Sequence, residues 1–355
     1  MLTLLFVLLA LAIILEVISF KRDPDMIELD FSVSTLCTEP GEPFHTLAIV
    51  ENGSRIPLSY LAVVESYPSG ANIPEDMIFR RRQDEILVKK ICRVKARQRK
   101  RLILETSVSK RGVHIINGDA IEFGDFLGFQ EYSKKIYFSR REVVVYPERL
   151  SAPDLSDALG RFYGDIAARR FLIRDPILTV GCREYTGREP MKEIHWLQSA
   201  RRSELMVREF DYTRQLSASV ILGVDEIEVK DEEGLDLCCS AVRSVCEKLA
   251  DAGVSVSFFT NSRLMRIHGK EFWKCDVSAG HTGTLLEGLG RVTCYSKGTL
   301  NALLEFAMLN SDYDAAFVVV LPANDSRGAE AVNILRSKSG RETLLIQMGE
   351  VRVES

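Results

Sequence analysis

Between Gly181 and Glu209 the sequence GCREYTGREPMKEIHWLQSARRSELMVRE crowds cations around two aromatic rings. Arg183, Arg188, Lys192, His195, Arg201, Arg202 and Arg208, with Arg214 flanking, accompany Tyr185 and Trp196. Three chemistries suit such a set. As structure, Pro190 opens a helix at its first turn, and Met191, Ile194, Leu197 and Ala200 then share a face about three residues apart. The Arg and Glu residues pair with neighbours in that reading, Arg183 with Glu184 being the natural candidate, because the guanidinium fork suits partly buried pairs. As a binding surface, Arg and aromatic side chains are the types enriched where partners dock, and an acidic partner fits. As a catalytic site, His195 would act as general base, oriented by Glu184 or Glu193. No nucleophile stands beside His195 in the sequence, and the chain carries no HExxH, GxSxG or phosphate-cradling Gly-rich loop with Lys.

The elements that position this segment follow from patterning. The 355 residues are 46% hydrophobic and 27% charged with a net charge of −4, enough for two or three domains with ordinary cores. A whole-chain basic footprint for nucleic acid is absent, so nucleic acid is not an expected partner. Residues 1–20 are apolar apart from Glu16 and then meet Lys21 and Arg22. About 20 apolar residues span a bilayer core as a helix. A cleaved signal peptide would instead carry basic residues before the run and small residues at a cleavage site. Basic flanks stay in the cytoplasm. The sequence therefore predicts a single-pass membrane anchor over 1–22, amino end outside, with everything after it facing the cytoplasm. Eight cysteines without CxxC or His-associated spacing fit free thiols there, whereas an exported protein would pair them. Asn52-Gly-Ser and Asn324-Asp-Ser match the glycosylation acceptor pattern, which a cytoplasmic domain leaves unmodified.

From 23 to 148 short alternating runs such as FHTLAIVEN and RKRLILETSVS are separated by turn-forming clusters. They predict a β-sandwich of immunoglobulin or fibronectin type, with the Gly- and Asp-rich run 111–128 forming tight turns between its last strands. Residues 149–216 read as a linker that carries the basic-aromatic motif. From 217 to 355 the rhythm becomes strand–helix: strands over 217–224, 254–259, 315–321 and 342–348, and helices over 232–252, 299–309 and 328–337. Alternation of this kind builds a parallel sheet covered by helices.

The order and lengths of these elements resemble a von Willebrand factor A-type domain. The expected fold class is thus multidomain α/β plus all-β: a transmembrane helix, a sandwich, and a von Willebrand A-like doubly wound domain. That resemblance implies a divalent-cation site at the carboxyl ends of the strands, built from an Asp-x-Ser-x-Ser loop, a Thr and a further Asp, all hard oxygens of the kind Mg²⁺ takes. Asp225 and Asp325 stand at the two Asp positions. Ile227 and Val229 occupy the places of the hydroxyls, so the expectation is a degenerate face with no resident cofactor, Mg²⁺ being the ion such a face would take.

The motif itself resembles the signature of the bacterial family called domain of unknown function 58. Gly181, Arg183, Glu184, Tyr185, Gly187, Lys192, Ile194, His195, Trp196, Ser199, Ala200, Arg201, Leu205 and Val207 carry the likeness, and Arg111-Gly112, Asp125, Gly128 and Val145-Tyr146-Pro147 match a second part of the pattern. Arg188 departs from it, standing where an Asp usually follows Gly187. Members also often have two membrane helices, and one is visible here. The resemblance implies an anchored, cytoplasm-facing protein that accompanies MoxR-type AAA+ ATPases as adaptor or scaffold in a chaperone-like assembly, with no catalytic activity attached to the motif. A metal-dependent adhesion module and a hydrolase using His195 are the alternatives.

Overall fold

A computed structural model of the chain describes residues 23–124, 131–136, 139–151, 153–170, 179–210, 216–225, 227, 231–269, 271–322, 325–348 and 352–354, together with Ala10, Ile13, Ile14 and Glu16. The chain divides into two compact units, residues 1–148 with 289–291, and residues 149–288 with 292–355.

The first unit is two β-sheets on a shared core. One sheet orders Ile27–Val33, Phe44–Asn52, Arg99–Val108 and Ala71–Asn72. The other has seven strands and is built on Gly112–Gly124, Leu58–Pro68 and Glu85–Val94. Phe44, Thr46, Ala48 and Val50 alternate inward along their strand, as the two-residue period of a half-buried strand requires. They meet Leu61, Val63, Tyr67, Ile121 and Phe123 from the facing sheet. The run 111–128 departs from expectation: Gly112–Gly124 is a thirteen-residue strand rather than a set of turns. Its inward residues Ile116, Ile121 and Phe123 supply core, which outweighs the turn propensity of its Gly and Asp residues. Asp125 and Gly128 lie outside the described residues. Asn52 is fully buried and donates to the carbonyls of Ile56 and Lys95. It is a turn anchor, which closes it to glycosylation.

A charged cluster sits inside this core. Lys90 Nζ donates to Glu65 at 2.8 Å, Tyr67 Oη donates to the same carboxylate, and Thr46 Oγ1 lies 2.6 Å from Tyr67 Oη. Burial lowers the Lys90 ammonium from its ordinary value and, together with the Glu65 carboxylate, raises the Tyr67 hydroxyl. Glu65 and Thr46 have no exposed surface and Lys90 has 9%.

The second unit contains a six-stranded sheet ordered Trp273–Val277, Ser255–Thr260, Ser217–Leu222, Ala316–Leu321, Thr343–Gln347 and Arg352–Glu354. Helices Leu300–Asn310 and Ser326–Ser339 cover one face through Leu303, Leu304, Val332 and Leu335. Helix Glu232–Asp251 starts on the Asp231 cap and ends before Gly253, at φ +78°, and it packs on the central strands through another set of side chains. Helix Pro153–Arg170, which the linker reading passed over, buries Leu155, Ala158, Leu159, Phe162 and Ile166. All eight cysteines are free, and burial followed by the Asp276 carboxylate pushes the Cys275 thiol up to about 12.

The expected fold class needs correction on two counts. The anchor expected over 1–22 lies outside the described residues but for Ala10, Ile13, Ile14 and Glu16, and among those described no helix is long and apolar enough to cross a membrane. The single-pass, cytoplasm-facing placement, and the membrane as partner, are therefore not supported. The described chain is predominantly β, and its second sheet is not the parallel, doubly wound von Willebrand A-like sheet expected. Three pairings are parallel, but Trp273–Val277 and Arg352–Glu354 run antiparallel at its two edges. The first of these alternates Lys274 and Asp276 outward with Cys275 and Val277 inward, a half-buried edge pattern unlike the apolar runs of the central strands.

Candidate functional site

The motif folds as a small ribbon. Thr179–Glu184 pairs antiparallel with Met206–Phe210, setting Arg183 opposite Val207 and Glu184 opposite Met206. The connecting segment forms a short 3-10 turn, Met191–Glu193, and then helix Trp196–Arg202. The helix starts later than Pro190 suggested because the ribbon claims the intervening backbone. Ile194 bridges Val207, and the His195 N–H donates to the Met206 carbonyl at 2.8 Å. The expected shared face is thus broken: Ile194 is buried, whereas Met191 and Leu197 are 69% and 61% exposed.

His195 is the N-cap of the helix. Its Nδ1 accepts from the Gln198 N–H at 3.2 Å and its carbonyl accepts from Ser199 Oγ at 3.0 Å. Nδ1 is thereby engaged by the helix that His195 caps. Buried Ser199 closes the helix onto the ribbon, its Oγ accepting from the Met206 N–H at 2.8 Å.

Arg183 forms its ion pair with Glu189 at 2.7 Å, and towards Glu184 it donates only to the main-chain carbonyl, at 3.4 Å. Neighbouring strand residues point to opposite faces, so an Arg183–Glu184 side-chain pair is disfavoured by the pleat. Glu189 also accepts from the Thr186 N–H at 3.1 Å and from the Thr186 hydroxyl at 2.7 Å. It thereby supplies the ribbon with a carboxylate one residue after Arg188. Thr-x-x-Glu spacing is the signal that would have found it. The Thr186 hydroxyl first, and Arg183 with it, holds the Glu189 carboxyl down at about 2, although the ribbon lies at the surface. A carboxyl lowered in the folded state stabilises above its unfolded value and loses that contribution as pH falls through its folded value. The lock is therefore expected to be complete above about pH 4.5 and to open only towards pH 2. A carbon-detected NMR titration should give Glu189 a midpoint near 2, rising in Arg183→Gln. A midpoint in the ordinary range for wild type would deny the lock.

Around this frame the ribbon exposes a patch. Trp196 is 60% exposed, and Met191, Leu197 and Leu205 accompany it. Lys192, Arg188, Arg201 and Arg202 are exposed alongside, with Tyr185 half-buried.

Asp225 and Asp325 arrive at the carboxyl ends of adjacent parallel strands, as the expected cation face requires. Both carboxylates have other employment. Asp225 Oδ1 accepts from Asn261 Nδ2 and Oδ2 from the Leu300 N–H, each at 2.9 Å. Buried Asn261 in turn accepts from the Val224 N–H and donates to the Gly298 carbonyl, tying three loops together. Asp325 caps helix Ser326–Ser339 through the Gly328 N–H at 2.7 Å, and Gln347 Nε2 donates to its carbonyl. Ile227 is buried, and Val229 lies outside the described residues. No group of three or more His, Cys, Asp or Glu side chains suited to a metal occurs among the described residues. Asn261 and Gln347 were missed because a single amide after a strand has no distinctive spacing.

No family model and no curated protein matches the chain. Solved structures match parts of it distantly. The CARDB domain of the PF1109 protein from Pyrococcus furiosus, in complex with di-metal ions, is 11% identical over 34% of this chain and 86% of its own, with a TM-score of 0.23. A cohesin module from a Clostridium perfringens family 33 glycoside hydrolase is 11% identical over 33% and 96%, with a TM-score of 0.25. The Bacillus subtilis sporulation control protein Spo0M is 10% identical over 45% and 58%, with a TM-score of 0.21. Likenesses this weak carry no argument about fold or activity.

Proposed function

We propose that this chain is a non-enzymatic adaptor that presents the ribbon 179–210 to a partner protein, and that the partner is a MoxR-type AAA+ ATPase. The observation that carries the reading is the cluster of large exposed apolar side chains, Met191, Trp196, Leu197 and Leu205, beside Lys192, Arg201 and Arg202. Trp and Arg dominate the energetics of protein interfaces, and an apolar centre with a basic rim suits an acidic partner. The polar groups that a catalytic or metal-dependent reading would use are turned inward instead. His195 Nδ1 caps a helix, and both oxygens of Asp225 accept from the fold. The choice of ATPase rests on the resemblance of residues 181–207 to the domain of unknown function 58 signature.

The test is direct binding of the full-length chain to a purified MoxR-type ATPase. Micromolar or tighter binding is expected, weakened about tenfold or more by Trp196→Ala with Leu197→Ala. No binding by the wild type, or unchanged affinity in the double variant, ends this reading.

A further inference from the structure

We infer that the turn joining strands Glu85–Val94 and Arg99–Val108 is a second docking surface, built to take an acidic, extended segment of another protein. From Arg93 to Arg101 the sequence reads RVKARQRKR, six cations in nine residues with no carboxylate, in a chain whose net charge is −4. Arg93, Lys95, Arg97, Arg99 and Arg101 occupy alternate positions and all are exposed. Glu51 takes Arg99. Arg93, Lys95, Arg97 and Arg101 make no ion pair among the described residues.

The turn is held firmly. Asn52 Nδ2 donates to the Lys95 carbonyl at 3.1 Å and the Asn52 N–H to the Gln98 carbonyl at 3.0 Å. The Arg97 N–H donates to the Ser54 carbonyl at 3.0 Å, and Gln98 Oε1 accepts from the Lys95 N–H at 2.8 Å. Arg97 sits at φ +51°, where glycine would rest without strain. A cation is thus kept in a conformation that favours glycine, and strain of this kind collects at functional positions.

The flanking strands add a main-chain component. Among the described residues, Glu85–Val94 meets an outer neighbour only at Ile86–Val88, and Arg99–Val108 only at Ser107 and Val108. Ile91 and Ile103, 65% and 63% exposed, lie on those two strands. An open strand edge recognises an extended peptide through its backbone, while side chains about 7 Å apart at alternate positions read the peptide's charges. Single-stranded nucleic acid would call for stacking rings, and residues 89–108 contain no aromatic side chain. An acidic polypeptide is therefore the occupant that the turn and its edges fit.

The test uses the full-length chain and a fluorescein-labelled peptide with Asp at alternate positions, followed by anisotropy at low and physiological salt. Micromolar binding that weakens with salt is expected. It should fall about tenfold in Arg93→Gln with Lys95→Gln and Arg101→Gln. Arg97→Gly separates binding from folding, since it should keep or raise thermal stability while weakening the peptide about threefold. Any of four results overturns the inference: no salt-dependent binding, equal binding by the triple variant, unchanged binding by Arg97→Gly, or tighter binding of an oligouridylate or of phosphatidylglycerol vesicles. The ribbon is untouched by these variants, so binding of the ATPase there is scored separately.

Discussion

Replacing Lys90 with methionine is expected to destabilise the two-sheet unit by about 3–5 kcal/mol, because it strands a carboxylate in the core. Glu65 has no exposed surface, and Lys90 is the cation within its reach, at 2.8 Å. Methionine fills much of the lysine stem's volume, so a cavity contributes little and the cost is electrostatic. A loss of that size corresponds to a midpoint roughly 10–20 °C lower for a unit of this length. The signals separate cleanly: both tryptophans, Trp196 and Trp273, belong to residues 149–288, so their fluorescence follows the second unit. Far-UV circular dichroism sums over both units, so a transition it shows apart from the one that fluorescence follows belongs to the first. Adding Glu65→Gln to Lys90→Met removes the stranded charge and should recover most of the loss, with Tyr67 still in place to hydrogen-bond the amide. A drop below about 1 kcal/mol in Lys90→Met would mean that water reaches Glu65 and that the cluster is not closed.

That cluster shows where sequence patterning stops. Alternation placed Thr46, Glu65, Tyr67 and Lys90 on strands, but a period of two says which face a residue takes and nothing about which facing-sheet residue it meets. Elsewhere the patterning was informative. Leu235, Cys238, Val242, Val245 and Leu249 stand three or four residues apart in the sequence and are all buried in helix Glu232–Asp251, with Gly253 just past its end. In helix Pro153–Arg170 the spacing of Leu155, Leu159, Phe162 and Ile166 was equally readable. It was obscured by Gly160 and Gly164, exposed positions where an added Cβ would meet no other atom within 4 Å. The basic-aromatic segment was found for its composition, but its internal wiring was not. Helical periodicity from Pro190 pointed to a face that the backbone bonds of Ile194 and His195 forbid. The neighbouring Glu184 is the obvious partner for Arg183 in sequence, but the pleat turns its side chain away, and the ion pair forms six residues on at Glu189.

Asp225→Ala is expected to lower the stability of the second unit by about 2–4 kcal/mol, since it removes two hydrogen bonds to a charged acceptor and leaves their donors unmet. The groups that lose their acceptor are the Leu300 N–H, at the start of helix Leu300–Asn310, and one of the two Nδ2 N–H groups of fully buried Asn261. Asn261 keeps its bonds to Val224 and Gly298, so the loops should loosen at the Leu300 end first. Trp273 packs edge-on against Phe258 in the same sheet, with ring centroids 5.8 Å apart, and its fluorescence gives the unfolding midpoint. Mg²⁺ separates this role from the one that the strand-end position implies. An ion that bound only the folded chain would stabilise it by about 2.7 kcal/mol at a hundred times its dissociation constant. With both oxygens already accepting from Asn261 and Leu300, millimolar Mg²⁺ should leave the wild-type midpoint where it is. A midpoint that rises with Mg²⁺ in the wild type and not in Asp225→Ala would show that the carboxylate leaves its internal donors for a cation, and the clamp would have to give way to a metal site.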